Sequence, residues 1–153
     1  MEGAPHLAEA DRPRYNGRMF SVTQELPFCY GHRLLGHPGK CARLHGHNGL
    51  VRITLRSEAL DRQGMVADFE AIEQSVRSWL DETLDHRLLL QRDDPVALLL
   101  RGAGEAFVSL DFHPTAENLA RMIFDHARRA GFPVVEVQLV EQQGSMAAYA
   151  PVT

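Results

Sequence analysis

The sequence predicts an α+β domain with helices on one face of an antiparallel sheet. Three observations predict it. Val51, Ile53 and Leu55 alternate with Arg52, Thr54 and Arg56, the two-residue period of a half-buried strand. Phe69, Ile72, Val76, Trp79 and Leu80 recur at helical spacing and form an apolar stripe. Strand-like segments come before and after the helical ones, so the order is strands, helices, strands. A chain of 153 residues suits one domain with one core.

Residues 1–17 hold Pro5, Pro13 and Gly17 among many charges and have no period, so they are expected to form a flexible leader. Residues 18–153 then form the single domain. Met19–Pro27, rich in Phe, Val and Thr, reads as the first strand. The turn-rich stretch Gly36–Cys41 is a loop. Asn48–Ser57 is the second strand, ending near a turn over Asp61–Gly64. Asp68 can cap a helix to Leu84, with Glu70 in the first turn favoured by the dipole. Thr115 caps a second helix to about Ala130, with Leu119, Ile123 and Ala127 inward and Gly131 and Pro133 beyond its end. Between them, residues 91–113 are the least regular, with a short helix near Leu98–Leu100 and a strand near Phe107–Leu110. Val134–Glu141 and Met146–Pro151 are the last strands, with Gly144 and Ser145 turning between them.

Composition narrows the function classes. A net charge of −4 argues against a nucleic-acid-binding surface, which is usually strongly basic. The longest apolar run, Val96–Leu100, is far too short to span a membrane. Cys29 and Cys41 are too few for a disulfide framework. The first residues carry no apolar signal core. The expectation is a cytoplasmic protein with free thiols.

The chemistry concentrates between His32 and His47. In an extended chain, residues two apart point the same way, so His45 and His47 can aim at one point, with Gly46 leaving the approach open. His32 is the nearest candidate for a third ligand. Three neutral imidazoles suit Zn²⁺ and leave a fourth position for water or substrate. A closed site of the three histidines with Cys41 would instead be structural, and spacing alone leaves both open. His37, followed by Pro38 in a turn, is a lesser candidate. A thiolate beside a metal can act as base or nucleophile. Cys29, within Pro27-Phe-Cys-Tyr30, reads as a small buried hydrophobe.

These residues resemble the 6-pyruvoyl-tetrahydropterin synthase and 6-carboxytetrahydropterin synthase family from about Phe20 to Tyr149. The pieces, in family order, are Gly-His32-Arg-Leu, Cys41-Ala-Arg-Leu-His45-Gly-His47, Gly64-Met-Val-Ala-Asp68-Phe69, Leu84-Asp85-His86, Pro114-Thr-Ala-Glu-Asn118 and a late strand ending in Glu141. The resemblance implies a tunnelling fold, with a four-stranded antiparallel sheet and two helices on one side. It also implies trimers that close a barrel, stacked in pairs into a homo-hexamer, with active sites between subunits.

By the same resemblance, His32, His45 and His47 are the zinc ligands and Cys41 is the catalytic thiol. Asp85 and His86 are its partners in proton transfer, and Glu141 grips the pterin ring. Thr115 and Glu117 help shape the pterin pocket. Plainer readings stand beside these: Asp85-His86 can simply end a helix, Asp68 can be only a cap, and Glu117 an ordinary first-turn acid. Lys40, Arg33 and Arg43 can be solvated loop charges or can meet a triphosphate.

The implied reaction turns 7,8-dihydroneopterin triphosphate into 6-carboxy-5,6,7,8-tetrahydropterin, losing acetaldehyde and triphosphate, in the queuosine route. Its alternatives are triphosphate elimination to 6-pyruvoyl-tetrahydropterin and a non-catalytic, zinc-stabilised assembly module. The sequence departs from the family at three places. Tyr30-Gly31 replaces a small pair before the first ligand. Gly49 replaces a common aromatic after the metal motif, and Gln142 replaces a common threonine.

Overall fold

The computed structural model describes residues 17–152; the expected leader lies outside them apart from Gly17. In chain order the elements are β1 Phe20–His32, β2 His45–Ser57, α1 Phe69–Thr83, β3 Arg87–Gln91, α2 Val96–Ala103, β4 Val108–Leu110, α3 Ala116–Arg129, β5 Val134–Gln142 and β6 Ser145–Tyr149. A single 3-10 turn, Lys40–Ala42, sits in the β1–β2 connection.

The strands form one sheet in the order β4-β3-β1-β2-β5-β6. The antiparallel part, β1, β2, β5 and β6, is the four-stranded sheet expected, and α1 and α3 cover one face of it. The structure adds β3 and β4, which pair parallel to their neighbours and make the sheet mixed. The sequence reading contains no β3. Its five residues are too short a run to separate from the end of α1 by period alone.

The β1–β2 pair is longer than expected at the end that matters. The expected first strand was Met19–Pro27, and a proline inside a strand removes a ladder donor. The strand continues because β3 joins β1 only from Tyr30 onward. At Pro27 only the β2 side is paired within the sheet, and the Pro27 carbonyl accepts from Arg77 Nη1 at 2.6 Å. The ladder therefore runs unbroken from Phe20↔Ser57 to His32↔His45.

The core lies between this sheet and the helices. Val51, Ile53 and Leu55 on β2 are fully buried against Ile72, Val76 and Leu80 of α1 and Leu119, Ile123 and Ala127 of α3. Each large side chain so buried contributes about 1.5–3 kcal/mol. Phe69, expected in the α1 stripe, is instead half exposed at the first turn. Trp79 stacks on His126 with ring centroids 4.3 Å apart and joins α1 to α3. Both expected caps form: Asp68 Oδ1 accepts from the Glu70 amide at 2.9 Å, and Thr115 Oγ1 from the Asn118 amide at 3.3 Å. In the turn before α1, Asp61 Oδ1 accepts from the Gln63 and Met65 amides, and Gly64 supplies the left-handed φ of 84°.

On β5 the core-facing residues are Val134, Val137 and Leu139, a set that breaks the two-residue alternation at Val135. The register shifts by one residue between Thr54↔Glu136 and Leu55↔Val134, which is a bulge, and the extra residue is Val135.

One buried pair ties the C-terminal end of β1 to the segment between β3 and α2. Asp94 is 2% exposed and accepts from Arg33 Nε and Nη2, each at 2.7 Å, and from the Val96 amide at 2.9 Å. Burial alone would raise its carboxyl pKa. The Arg33 guanidinium and the amide outweigh that and hold it below the ordinary carboxylate value. A depressed folded-state pKa stabilises the fold above the unfolded value, near 4, and that contribution is lost as pH falls through the folded value. Asp94→Asn is expected to cost about 2–4 kcal/mol in urea denaturation near neutral pH. Its difference from the parent should shrink as the pH is taken below about 4.

Candidate active site

The register of β1 and β2 builds the first part of the site. His32 lies opposite His45, and Tyr30 opposite His47, so all four side chains share the core face at one end of the sheet. His32 Nε2 is 3.1 Å from His45 Nε2 and 3.0 Å from His47 Nε2. The opposite ring nitrogens are already committed. His32 Nδ1 lies 2.6 Å from the Pro114 carbonyl, and His45 Nδ1 lies 2.7 Å from the Arg43 carbonyl. A carbonyl can only accept, so each Nδ1 carries the proton and each Nε2 presents a lone pair. Two lone pairs at this separation repel, so the arrangement fits a cation shared among the imidazoles. Burial pushes the pKa of His32 down, and the neighbouring imidazoles add to this against the opposing pull of Pro114 and Glu141. The net effect keeps His32 neutral, as a ligand must be. This histidine group can hold a metal ion.

Glu141 completes this face. Its Oε1 lies 3.8 Å from both His32 Nε2 and His47 Nε2, and it accepts from the Tyr30 hydroxyl at 2.7 Å. Between Val140↔Met146 and Gln142↔Ser145 the register shifts by one residue, so Glu141 is the extra residue of a second bulge on β5. Bulges re-aim side chains, and this one sits at the site. Burial, followed by the Glu141 hydrogen bond and charge, drives the Tyr30 hydroxyl pKa far up, so it remains a donor. A cavity of about 1030 Å³ opens over the histidines and Glu141, and Cys41, Thr115 and Glu117 line it too. Thr115 has a second task there as the cap of α3, and Pro114, just before it, holds His32.

Asp85 and His86 lie elsewhere in the chain. Asp85 Oδ1 accepts from the Cys29 amide at 2.8 Å, and the His86 amide donates to the Cys29 carbonyl at 2.7 Å. Asp85 Oδ2 accepts from His86 Nδ1 at 2.6 Å. Burial would raise the Asp85 carboxyl, but the amide and the imidazole win and hold it below its ordinary value. This grip keeps His86 at a φ of 53°, a left-handed backbone that few side chains adopt. Cys29 alternates with His32 along β1, so its side chain points to the other face of the sheet. Cys29, Asp85 and His86 bring their polar atoms within 4.8 Å of one another. Within one chain, the dyad therefore adjoins Cys29 and does not line the cavity that holds Cys41.

Sequence reasoning missed two contributors. Tyr30 registered only as a departure from the family, although an even spacing to His32 was enough to put it on the ligand face. Pro114 acts through its carbonyl, which no side-chain pattern reveals. Arg33, weighed as a phosphate contact, is held by Asp94 instead.

Comparison with known proteins agrees with this construction. Residues 21–151 match the family model of 6-pyruvoyl tetrahydropterin synthase. A 6-carboxy-5,6,7,8-tetrahydropterin synthase of Rickettsia felis is 35% identical over 117 residues, covering 75% of this chain and 82% of that protein. An uncharacterized protein of Wolinella succinogenes shares the fold with a TM-score of 0.72 at 27% identity, covering 87% of this chain and 98% of that one. The 6-pyruvoyl tetrahydropterin synthase of Caenorhabditis elegans matches in fold with a TM-score of 0.65 at 23% identity, over 88% and 97% of the two chains. With the tunnelling fold, the histidine triad and a family match over nearly all described residues, the chain belongs to the 6-pyruvoyl tetrahydropterin synthase family.

Proposed function

We propose that the chain is a zinc-dependent 6-carboxy-5,6,7,8-tetrahydropterin synthase. Its substrates are 7,8-dihydroneopterin triphosphate and one water, and it releases acetaldehyde and triphosphate with the carboxy product, a step toward queuosine. The observation that carries this reading is one cavity in which three converging imidazoles, a thiol and a carboxylate meet. The name carried by the Rickettsia felis relative supports the carboxy product over the pyruvoyl one.

His32, His45 and His47 would hold the zinc, which when bound supplies Lewis acidity to the substrate side chain. The remaining roles belong to the chain itself. Glu141 accepts two parallel hydrogen bonds from the amino-pyrimidine edge of the pterin and so fixes the ring. Cys41 removes a proton from the side chain held over the histidines. Thr115 and Glu117 shape the wall of the pocket, and Lys40 and Arg43, on the same cavity, meet the triphosphate.

Asp85 and His86 return the proton from a neighbouring subunit. Two features support that placement: the dyad points away from Cys41 within its own chain, and His86 exposes 80% of its side chain. We place the active unit as a hexamer, a dimer of trimers. The edge strand β6, with Met146 59% exposed, is the kind of surface that joins sheets between copies. Among the described residues no helix is long and apolar enough to cross a membrane. The two cysteines are free, which suits the cytoplasm we assign it.

Three measurements test the reading. Zinc-loaded protein incubated with 7,8-dihydroneopterin triphosphate is expected to yield 6-carboxytetrahydropterin and acetaldehyde by mass spectrometry; 6-pyruvoyl-tetrahydropterin would instead assign the other reaction of the family. Cys41→Ala should lower turnover at least ~100-fold, with metal content and assembly intact. Chelation should remove the metal while the far-UV circular dichroism is kept; unfolding on chelation would mark a structural zinc module.

A further inference from the structure

The burial and contacts of Tyr30 single it out. It is 3% exposed, yet it carries a hydroxyl, and that hydroxyl has one partner of opposite character, Glu141 Oε1 at 2.7 Å. The ring stacks on Phe28 with centroids 5.1 Å apart, meets the His32 imidazole edge-on at 5.2 Å and lies tilted against the His47 imidazole at 5.6 Å. Space for it comes from the facing strand. A Cβ at Gly49 would lie 3.3 Å from Tyr30 Cε1 and 3.2 Å from Phe28 Cε1, so a larger residue at position 49 would displace this pair. Tyr30 and Gly49 are thus complementary, and together they deliver a fixed hydrogen-bond donor to the foot of Glu141.

Glu141 has two possible attachments in this geometry. It can present both oxygens to a pterin edge, or its Oε1, already 3.8 Å from two ligand nitrogens, can swing onto a cation among the histidines. The second attachment would take up the open position that catalysis needs. We propose that Tyr30 is a positioning residue that tethers Glu141 Oε1, keeping the carboxylate for the substrate and off the metal. The proposal rests on the assigned role of Glu141 as the pterin grip. It makes Tyr30 a determinant of both substrate affinity and metal exchange in this chain.

The two consequences run in opposite directions, which separates tethering from simple packing. In the zinc-loaded full chain, Tyr30→Phe keeps the stack on Phe28 and loses only the hydroxyl. Affinity for the fluorescent pterin neopterin should fall roughly tenfold, the scale of one hydrogen bond to a charged group. Zinc release to a chelator should at the same time become slower, because the freed carboxylate now adds to the metal. Introducing Tyr30→Phe into a Glu141→Gln background should change neither quantity further. A packing defect would weaken both neopterin and zinc retention, and that result overturns the proposal. Unchanged neopterin affinity in Tyr30→Phe, with a loss in Glu141→Gln, overturns the tether alone. Unchanged affinity in both variants removes the pterin grip itself, and the role of Tyr30 falls with it.

Discussion

The register of β1 against β2 is the constraint on which the rest of the molecule depends. Thirteen consecutive pairs, from Phe20↔Ser57 to His32↔His45, fix which side chains face the helices. A slip of one residue would turn every inward side chain outward. The lower half of this ladder carries Leu26, Val51, Ile53 and Leu55 into the core, where their burial holds the register. The upper half carries His32, His45 and His47 on the same face. The hydrophobic core therefore aligns the imidazoles, and this cluster, which can hold a metal ion, is an extension of the core face into polar residues.

That extension has an electrostatic character of its own. Converging imidazole nitrogens would not stay together unaided, since the protons of His32 and His45 are directed outward to the carbonyls of Pro114 and Arg43. The backbone forces these rings into the arrangement, through the start of α3 on one side and the β1–β2 connection on the other. Such prior organisation is what a cation site requires. Glu141 reaches the same face by a different device, a bulge that breaks the β5–β6 register at one residue. Tyr30 then satisfies one of its oxygens in a setting where an unpartnered carboxylate would be costly.

The sheet also separates chemistry between its two faces. Cys41 lines the cavity with the imidazoles, while Asp85 and His86 are gripped by the backbone of Cys29 on β1. A single chain thus holds two clusters of polar side chains on opposite sides of one layer.

The sequence by itself determined the elements whose signal is local. The two-residue period of Val51, Ile53 and Leu55, the stripe of Ile72, Val76 and Leu80, and the caps Asp68 and Thr115 all depend on neighbours within a few positions. The spacing of His45 and His47 is local in the same sense. Tertiary structure alone decided the rest. Pro27 sits inside β1 because β3 joins only beyond it, Val134 replaces Val135 inward because of a bulge, and Arg33 binds Asp94 across 61 positions of sequence. Tyr30 meets Glu141 across 111 positions, and Asp85 reaches Cys29 rather than Cys41. These pairings follow from which strands become neighbours and in what register, and no local period encodes that.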